Sequence, residues 1–151
     1  MQFLDSILQK ARGHRQTIVL AEGEDPRVIA AAQRAQADGI ANCVLIGKTD
    51  IIQQRADEAG FCLSDIRIED PSASQYHQRY SHALWQLRKH RGVTLKQAEK
   101  QSLDPLSFAD LMLHANDADG SIGGAVYTTG DRVRSALKIV GVKPGYNSVS
   151  S

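Results

Sequence analysis

Strand-like runs alternate with well-delimited helical segments in the first part of the chain, and this alternation restricts the folds open to it. The run TIVLA, Thr17 to Ala21, is typical of a buried strand. A helix is predicted next, with Asp25 as its N-cap, Pro26 at its first position and Gly39 beyond its end. Residues 40–46 read as a second strand. A strand, a helix and a strand joined by short links predict a right-handed βαβ unit, hence a parallel sheet covered by helices.

Later segments extend this pattern. Thr49 is predicted to cap a helix that ends before Gly60, and residues 65–69 are predicted to form a short third strand. Three successive helices then form a long crossover, delimited by Gly92, by a capping box of Thr94 and Gln97, and by Asp104 with Pro105. We therefore predict an α/β protein, a three-layer α/β/α fold with a mainly parallel sheet.

The last part of the chain is predicted to contain one more strand and helix. The segment SIGGAVYT reads as a strand that enters a turn, and residues 131–140 read as a helix. Pro144 and Gly145 predict a turn, after which a new strand could begin.

Composition excludes several classes of function. The 151 residues are 42% hydrophobic and carry a formal net charge of +1, so no global charge attracts nucleic acid or acidic membranes. No apolar run reaches the roughly 20 residues of a membrane helix, and we expect a cytoplasmic protein. Cys43 and Cys62 lack the paired spacing of a zinc site and are predicted to be buried free thiols. No metal site is expected.

Two loops at the carboxyl ends of predicted strands are candidate ligand sites, because ligands of open parallel sheets gather at that edge. The first is residues 22–25 and the second is residues 127–131, which leads into a helix carrying Arg132 and Arg134. Hydroxyls, backbone amides and guanidinium groups of the second loop are donors that suit phosphate. By local pattern alone, the favoured interpretation is that Thr128, Thr129 and Asp131 cap the helix, with Arg134 paired to a carboxylate.

Five segments resemble, in order and nearly from end to end, the phosphate acetyl/butyryl transferase family. They are AEGEDPRV (Ala21 to Val28), GIANCVLIG (Gly39 to Gly47), LRKHRGVTLKQA (Leu87 to Ala98), DPLSFADLML (Asp104 to Leu113) and DADGSIGGAVYTTGDRVRSALKIV (Asp117 to Val140). The resemblance is closer to the acetyl branch than to the butyryl branch, and it covers the amino-terminal portion of the family pattern.

The resemblance implies an isocitrate/isopropylmalate dehydrogenase-like fold and reversible acetyl transfer between acetyl phosphate and coenzyme A, without a bound cofactor. It implies that Arg88 and Arg134 bind coenzyme A or another anion, and that Thr128 and Thr129 lie beside the acyl phosphate. No catalytic residue is expected within this chain, because the family's base belongs to a carboxyl-terminal segment. Arg88 lies in a basic cluster at a helix end, where cations are favoured by the helix dipole in any protein.

The chain departs from the family pattern at Tyr127, where a histidine is common, at Ser135, where a proline is usual, and at Gly123 and Gly130.

We expect residues 1–151 to form the amino-terminal α/β domain, with a second domain and the carboxyl-terminal segment absent and a homodimer as the full-length state. The alternatives are a non-catalytic domain that binds coenzyme A or phosphate, and the related domain of a malic enzyme. A dehydrogenase is a weaker third alternative, because it needs metal-binding aspartates that are not found.

Overall fold

The computed structural model describes residues 2–149, and its centre is a sheet of four parallel strands. The strand order is β3-β2-β1-β4. The register aligns Ile18 of β1 with Cys43 of β2 on one side and with Gly120 of β4 on the other. The strands are β1 (Gln16–Leu20), β2 (Ala41–Ile46), β3 (Arg67–Glu69) and β4 (Gly120–Ile122).

Seven α-helices precede, connect or follow these strands within residues 2–149. They are α1 (Gln2–Gly13), α2 (Pro26–Ala37), α3 (Thr49–Ala59), α4 (His77–Arg88), α5 (Leu95–Gln101), α6 (Pro105–His114) and α7 (Thr129–Ile139), and a 3₁₀ turn, Lys89–Arg91, follows α4. The three helices α4, α5 and α6 form the predicted long crossover between β3 and β4.

Helix caps at three of the predicted positions are confirmed, because each is made by residues next to the helix. Asp25 accepts a hydrogen bond from the Arg27 amide, Thr94 and Gln97 form a capping box, and Asp104 caps α6. The predicted cap at Thr49 is wrong by one residue: Lys48 is the N-cap of α3 and makes no side-chain cap hydrogen bond.

Strand residues alternate between two hydrophobic layers, as a sheet covered on both faces requires. Leu20, Cys43 and Leu45 pack with buried residues of α2 and α3. Val19 and Val44 point to the other face, where α4, α5, α6 and α7 contribute the core. The predicted three-layer α/β/α architecture with a parallel sheet is therefore confirmed.

The chain changes direction across the sheet between β1 and β4. From β1 it proceeds outward to β2 and β3, and then it crosses back to place β4 on the opposite side of β1. The carboxyl ends of β1 and β4 therefore border a topological switch point, the place where open α/β sheets usually bind ligands.

Some sequence-based predictions differ from the structure. The last strand ends at Ile122, and residues 123–128 form a loop rather than a continuation of the strand. No strand forms within residues 141–149.

Cys43 is buried as predicted, but Cys62 is exposed, so its assignment as a buried thiol is wrong. Among residues 2–149, no helix has the length and apolar character to cross a membrane.

Candidate anion-binding site at the carboxyl edge of the sheet

The loop after β1 runs close to the end of β2, and Gly23 makes this approach possible. Its amide donates to the Ile46 carbonyl oxygen at 3.0 Å. A Cβ atom on Gly23 would lie 2.7 Å from that oxygen and 2.9 Å from the Ile46 nitrogen, distances too short for any side chain. Gly23 therefore fixes the path of the loop and the direction of its neighbour Glu22.

Glu22 turns its carboxylate toward the loop that follows β4. Its Oε1 accepts hydrogen bonds from the amides of Tyr127 at 2.7 Å and Val126 at 2.8 Å. Its Oε2 accepts from the amides of Ala125 at 2.9 Å and Gly124 at 3.0 Å. Four successive backbone amides thus converge on one carboxylate, forming the type of concave amide cluster, called a nest, that binds anions in proteins.

The environment keeps Glu22 ionised. The side chain is buried, with 8% of the residue exposed, and burial alone would raise its pKa. Hydrogen bonds from the backbone amides of Val126, Tyr127, Ala125 and Gly124 outweigh that effect, so the pKa of Glu22 lies below its ordinary value. The switch point between β1 and β4 accordingly holds a buried negative charge.

Two side-chain contacts also attach the loop after β4, which we call the nest loop (residues 123–128), to neighbouring helices. Arg27 donates to the Ala125 carbonyl oxygen at 2.9 Å and forms a salt bridge with Asp25 at 2.7 Å. The Tyr127 hydroxyl donates to Asp104 at 3.0 Å. Burial, followed by the nearby charge of Asp104, raises the pKa of Tyr127, so this hydroxyl remains a proton donor.

Helix α7 begins directly after the nest loop, and its N-cap and first two turns contain three of the predicted site residues. The Thr128 hydroxyl accepts from the Asp131 amide at 3.1 Å and donates to the Asp131 carboxylate at 2.7 Å. Arg134 is exposed and donates to the same carboxylate at 3.1 Å. Thr129 is exposed and its hydroxyl has no hydrogen-bond partner among residues 2–149. The local arrangement of a capped helix with a paired arginine is therefore present.

A buried charge network holds α7 against α6 and β4. Asp110 is 1% exposed and accepts from Arg132 at 2.6 Å and from the Ser135 hydroxyl at 2.6 Å. Arg132 also donates to the Ser121 hydroxyl at 2.8 Å. Ser135, one of the departures from the family pattern, therefore has a structural contact of its own.

Arg88, the fourth predicted site residue, lies away from this group in the chain, as the last residue of α4. It is partly exposed and makes no hydrogen bond or salt bridge to any other residue in the 2–149 range. The structure therefore brings Thr128, Thr129 and Arg134 together and records no contact that joins Arg88 to them.

Two open cavities flank the nest loop. One, of about 330 Å³, lies among the loops after β1 and β2, where Glu22, Glu24, Arg55 and Tyr127 contribute to its wall. The other, of about 370 Å³, is lined by residues of α6 and α7, and Arg134 and Lys138 supply its cations. Asp104 and Asp131 also line this cavity, and Asp131 is paired with Arg134, so its cations are balanced by carboxylates. Within residues 2–149, no group of three or more His, Cys, Asp or Glu side chains is arranged to hold a metal ion.

Sequence reasoning assigned Glu22 and its acidic neighbours to capping and loop structure, and it missed the contact of Glu22 with the nest loop. It also missed the buried pair of Asp110 and Arg132. Each contact joins residues at least 22 positions apart, and no local pattern signals it. One available signal was that both candidate loops follow parallel strands, which predicts that they meet at one edge.

The fold and this site define a class: an α/β protein with anion-binding groups at the switch point of a parallel sheet. The family model described as "Phosphate acetyl/butaryl transferase" matches residues 2–151, and the chain belongs to this family.

Individual relatives agree with that assignment. A phosphate acetyltransferase of Clostridium acetobutylicum is 38% identical over 150 residues, covering 99% of this chain and 45% of the relative. The solved EutD phosphotransacetylase from Staphylococcus aureus matches with a TM-score of 0.90 and 31% identity, covering 97% of this chain and 44% of that one. A phosphotransacetylase structure from Streptococcus pyogenes gives a TM-score of 0.92 and 29% identity, covering 97% and 44% respectively. The chain thus spans under half the length of these relatives.

Proposed function

We propose that this chain is part of a phosphate acetyltransferase, which transfers an acetyl group reversibly between acetyl phosphate and coenzyme A. The observation that supports the proposal most directly is the exposed cluster of Thr128, Thr129 and Arg134 at the start of α7, beside the switch point. Membership in the family and the names of the relatives point to the same reaction.

The reaction needs a base for the thiol, hydrogen-bond donors for the oxyanion that develops, and cations for the phosphate that leaves. In our proposal Arg134 and Arg88 bind phosphate groups, and Thr128 and Thr129 contact the acyl phosphate. The family resemblance assigns the base to a carboxyl-terminal segment, and this chain spans under half the length of its relatives. We therefore propose that the base comes from a second domain outside residues 1–151.

Several features of the whole protein belong to the same proposal. We propose that coenzyme A and acetyl phosphate are substrates, that no cofactor or metal is bound, that the longer protein is a homodimer and that it acts in the cytoplasm. An isocitrate/isopropylmalate dehydrogenase-like fold is likewise proposed for the complete domain.

The decisive experiment measures phosphate release from acetyl phosphate, with and without coenzyme A, by the longer gene product. We expect coenzyme A-dependent release, and we expect Arg134→Ala to lower kcat/KM by roughly 10- to 100-fold, because a hydrogen bond to a charged group contributes about 1.5–3 kcal/mol. Arg34→Ala is the matched control, since Arg34 is also a helix arginine paired with an aspartate in its own helix turn. Absence of coenzyme A-dependent release from the longer protein would contradict the proposal.

A second candidate function for the 151-residue chain by itself is non-catalytic binding of coenzyme A. The two predicted anion-binding residues favour it, because Arg134 is exposed and Arg88 is partly exposed. Calorimetry with coenzyme A tests this candidate: binding without turnover supports it, and no heat of binding at millimolar coenzyme A removes it.

A further inference from the structure

The switch-point crevice of this sheet is already filled by a group of the chain itself. Backbone amides that converge at such a place usually bind a ligand anion. Here the amides of residues 124–127 all donate to the carboxylate of Glu22. These amides are therefore not free to bind substrate.

Glu22 also acts on the start of α7 through the chain. Its shortest hydrogen bond, 2.7 Å, is to the amide of Tyr127, the residue directly before the N-cap Thr128. Residues 124–126 are exposed, and the hydrogen bonds that join them to the rest of the molecule are made with Glu22 and with Arg27, which is itself exposed. The Glu22 contact thus sets the path by which the chain enters the N-cap of α7, whereas the body of the helix is held by the Asp110 and Arg132 pair.

We propose that Glu22 is a positioning residue for the anion site: a built-in anion that orders the nest loop, so that side chains of α7 rather than backbone amides meet the phosphate groups of coenzyme A. The identity of the ligand, coenzyme A, rests on the proposed function. The ordering of the nest loop by Glu22 rests on the hydrogen bonds alone.

The chemistry of the contact calls for an ionised carboxylate of this length. A carboxylate has two oxygens and only accepts hydrogen bonds, so it can satisfy all the converging amides. Glu22→Gln keeps the size of the side chain but turns an NH₂ group toward N–H donors. Glu22→Asp keeps the charge but shortens the side chain by one methylene.

The test compares these two variants with the parent 151-residue chain by amide hydrogen exchange and by calorimetric binding of coenzyme A. Asp119→Asn is the matched control, because Asp119 also accepts a backbone amide hydrogen bond, from Thr17 at 2.8 Å, at the opposite end of the sheet. We expect Glu22→Gln to raise exchange at residues 124–127 by roughly tenfold or more, with β2 amides unchanged. Coenzyme A affinity should fall by a similar factor, and Glu22→Asp should restore part of both.

Unchanged exchange at residues 124–127 in Glu22→Gln would overturn the proposal, as would an equal rise in exchange throughout the sheet. A rise in exchange at the loop amides with unchanged coenzyme A affinity would also overturn it, since the start of α7 would then need no positioning by Glu22. If the parent chain does not bind coenzyme A, binding by this domain alone is contradicted, and hydrogen exchange decides the ordering role of Glu22.

Discussion

Gly23 occupies the closest approach between the loop after β1 and the backbone of β2, and it allows the sharpest prediction for a single residue. Gly23→Ala should destabilise the chain by about 2 kcal/mol or more, because the added methyl group would meet backbone atoms of Ile46 that cannot move aside. Urea unfolding followed by circular dichroism measures the change. Gly13→Ala is the control: a Cβ there has no neighbour within 4 Å, and we expect no loss of stability.

The carboxylate of Asp25 gives a pH-dependent prediction. Hydrogen bonds and charge from Arg27 lower the pKa of Asp25 from 3.8 to about 2. A carboxyl group with a lowered folded-state pKa stabilises the protein above its unfolded-state pKa, and it loses that contribution as the pH falls through the folded value. The parent chain should therefore have a larger free energy of unfolding than Asp25→Asn, by an amount that is constant above about pH 5. This difference should shrink between about pH 4 and pH 2.

Carbon-13 NMR titration of the Asp25 carboxyl group checks this directly. In Arg27→Ala the pKa of Asp25 should rise toward its ordinary value. An Asp25 pKa that is the same in both proteins would contradict the assigned cause.

For single residues, the sequence predicted the contacts that form between near neighbours in the chain. The caps at Asp25, Thr94 and Asp104 could be recognised because cap and helix are adjacent in the chain. The partners of Glu22 lie more than 100 positions away, so its contact could be found only once the fold had brought the two loops together.

At the scale of elements, α7 depends on the buried carboxylate of Asp110. Asp110→Asn should cost about 3 kcal/mol, because Arg132, whose side chain is 20% exposed, would lose its counter-charge. Chemical unfolding measures the loss, and hydrogen exchange should show α7 losing more protection than α2. Ser135→Ala should cost less, since it removes a hydroxyl donor and leaves the ion pair in place. Equal losses in the two variants would argue against the ion pair as the main contact.

The early end of β4 has a physical cause that the sequence does not display. The run GGAVYT has strand-like composition, and we predicted that the strand would enter it. Its amides donate to Glu22 instead of to a neighbouring strand, so the segment becomes a loop. Prediction of the helices and of the longer strands succeeded because their apolar spacing agrees with the layers that they cover.

At the scale of the whole molecule, the proposed function predicts that Arg88 and Arg134 bind one ligand. If each contacts a different phosphate of one coenzyme A molecule, each alanine variant should lower the affinity by roughly 10- to 100-fold, and the two free energies should add. Calorimetry on the single and double variants, with Arg34→Ala as control, measures this. No effect of Arg88→Ala would leave Arg88 as a solvated helix end.

The position of β1 between β2 and β4 has a consequence for the order of folding. Its contacts with β2 join residues about 25 positions apart, whereas its contacts with β4 join residues about 102 positions apart, as in Ile18 and Gly120. Distant pairings close later than near ones, because a longer segment of chain must first lose its freedom. On a ribosome, β1, β2 and β3 can associate before β4 has been synthesised. Until β4 is in place, the Glu22 carboxylate remains solvated. The carboxyl edge of the sheet, with its candidate anion site, is therefore completed last.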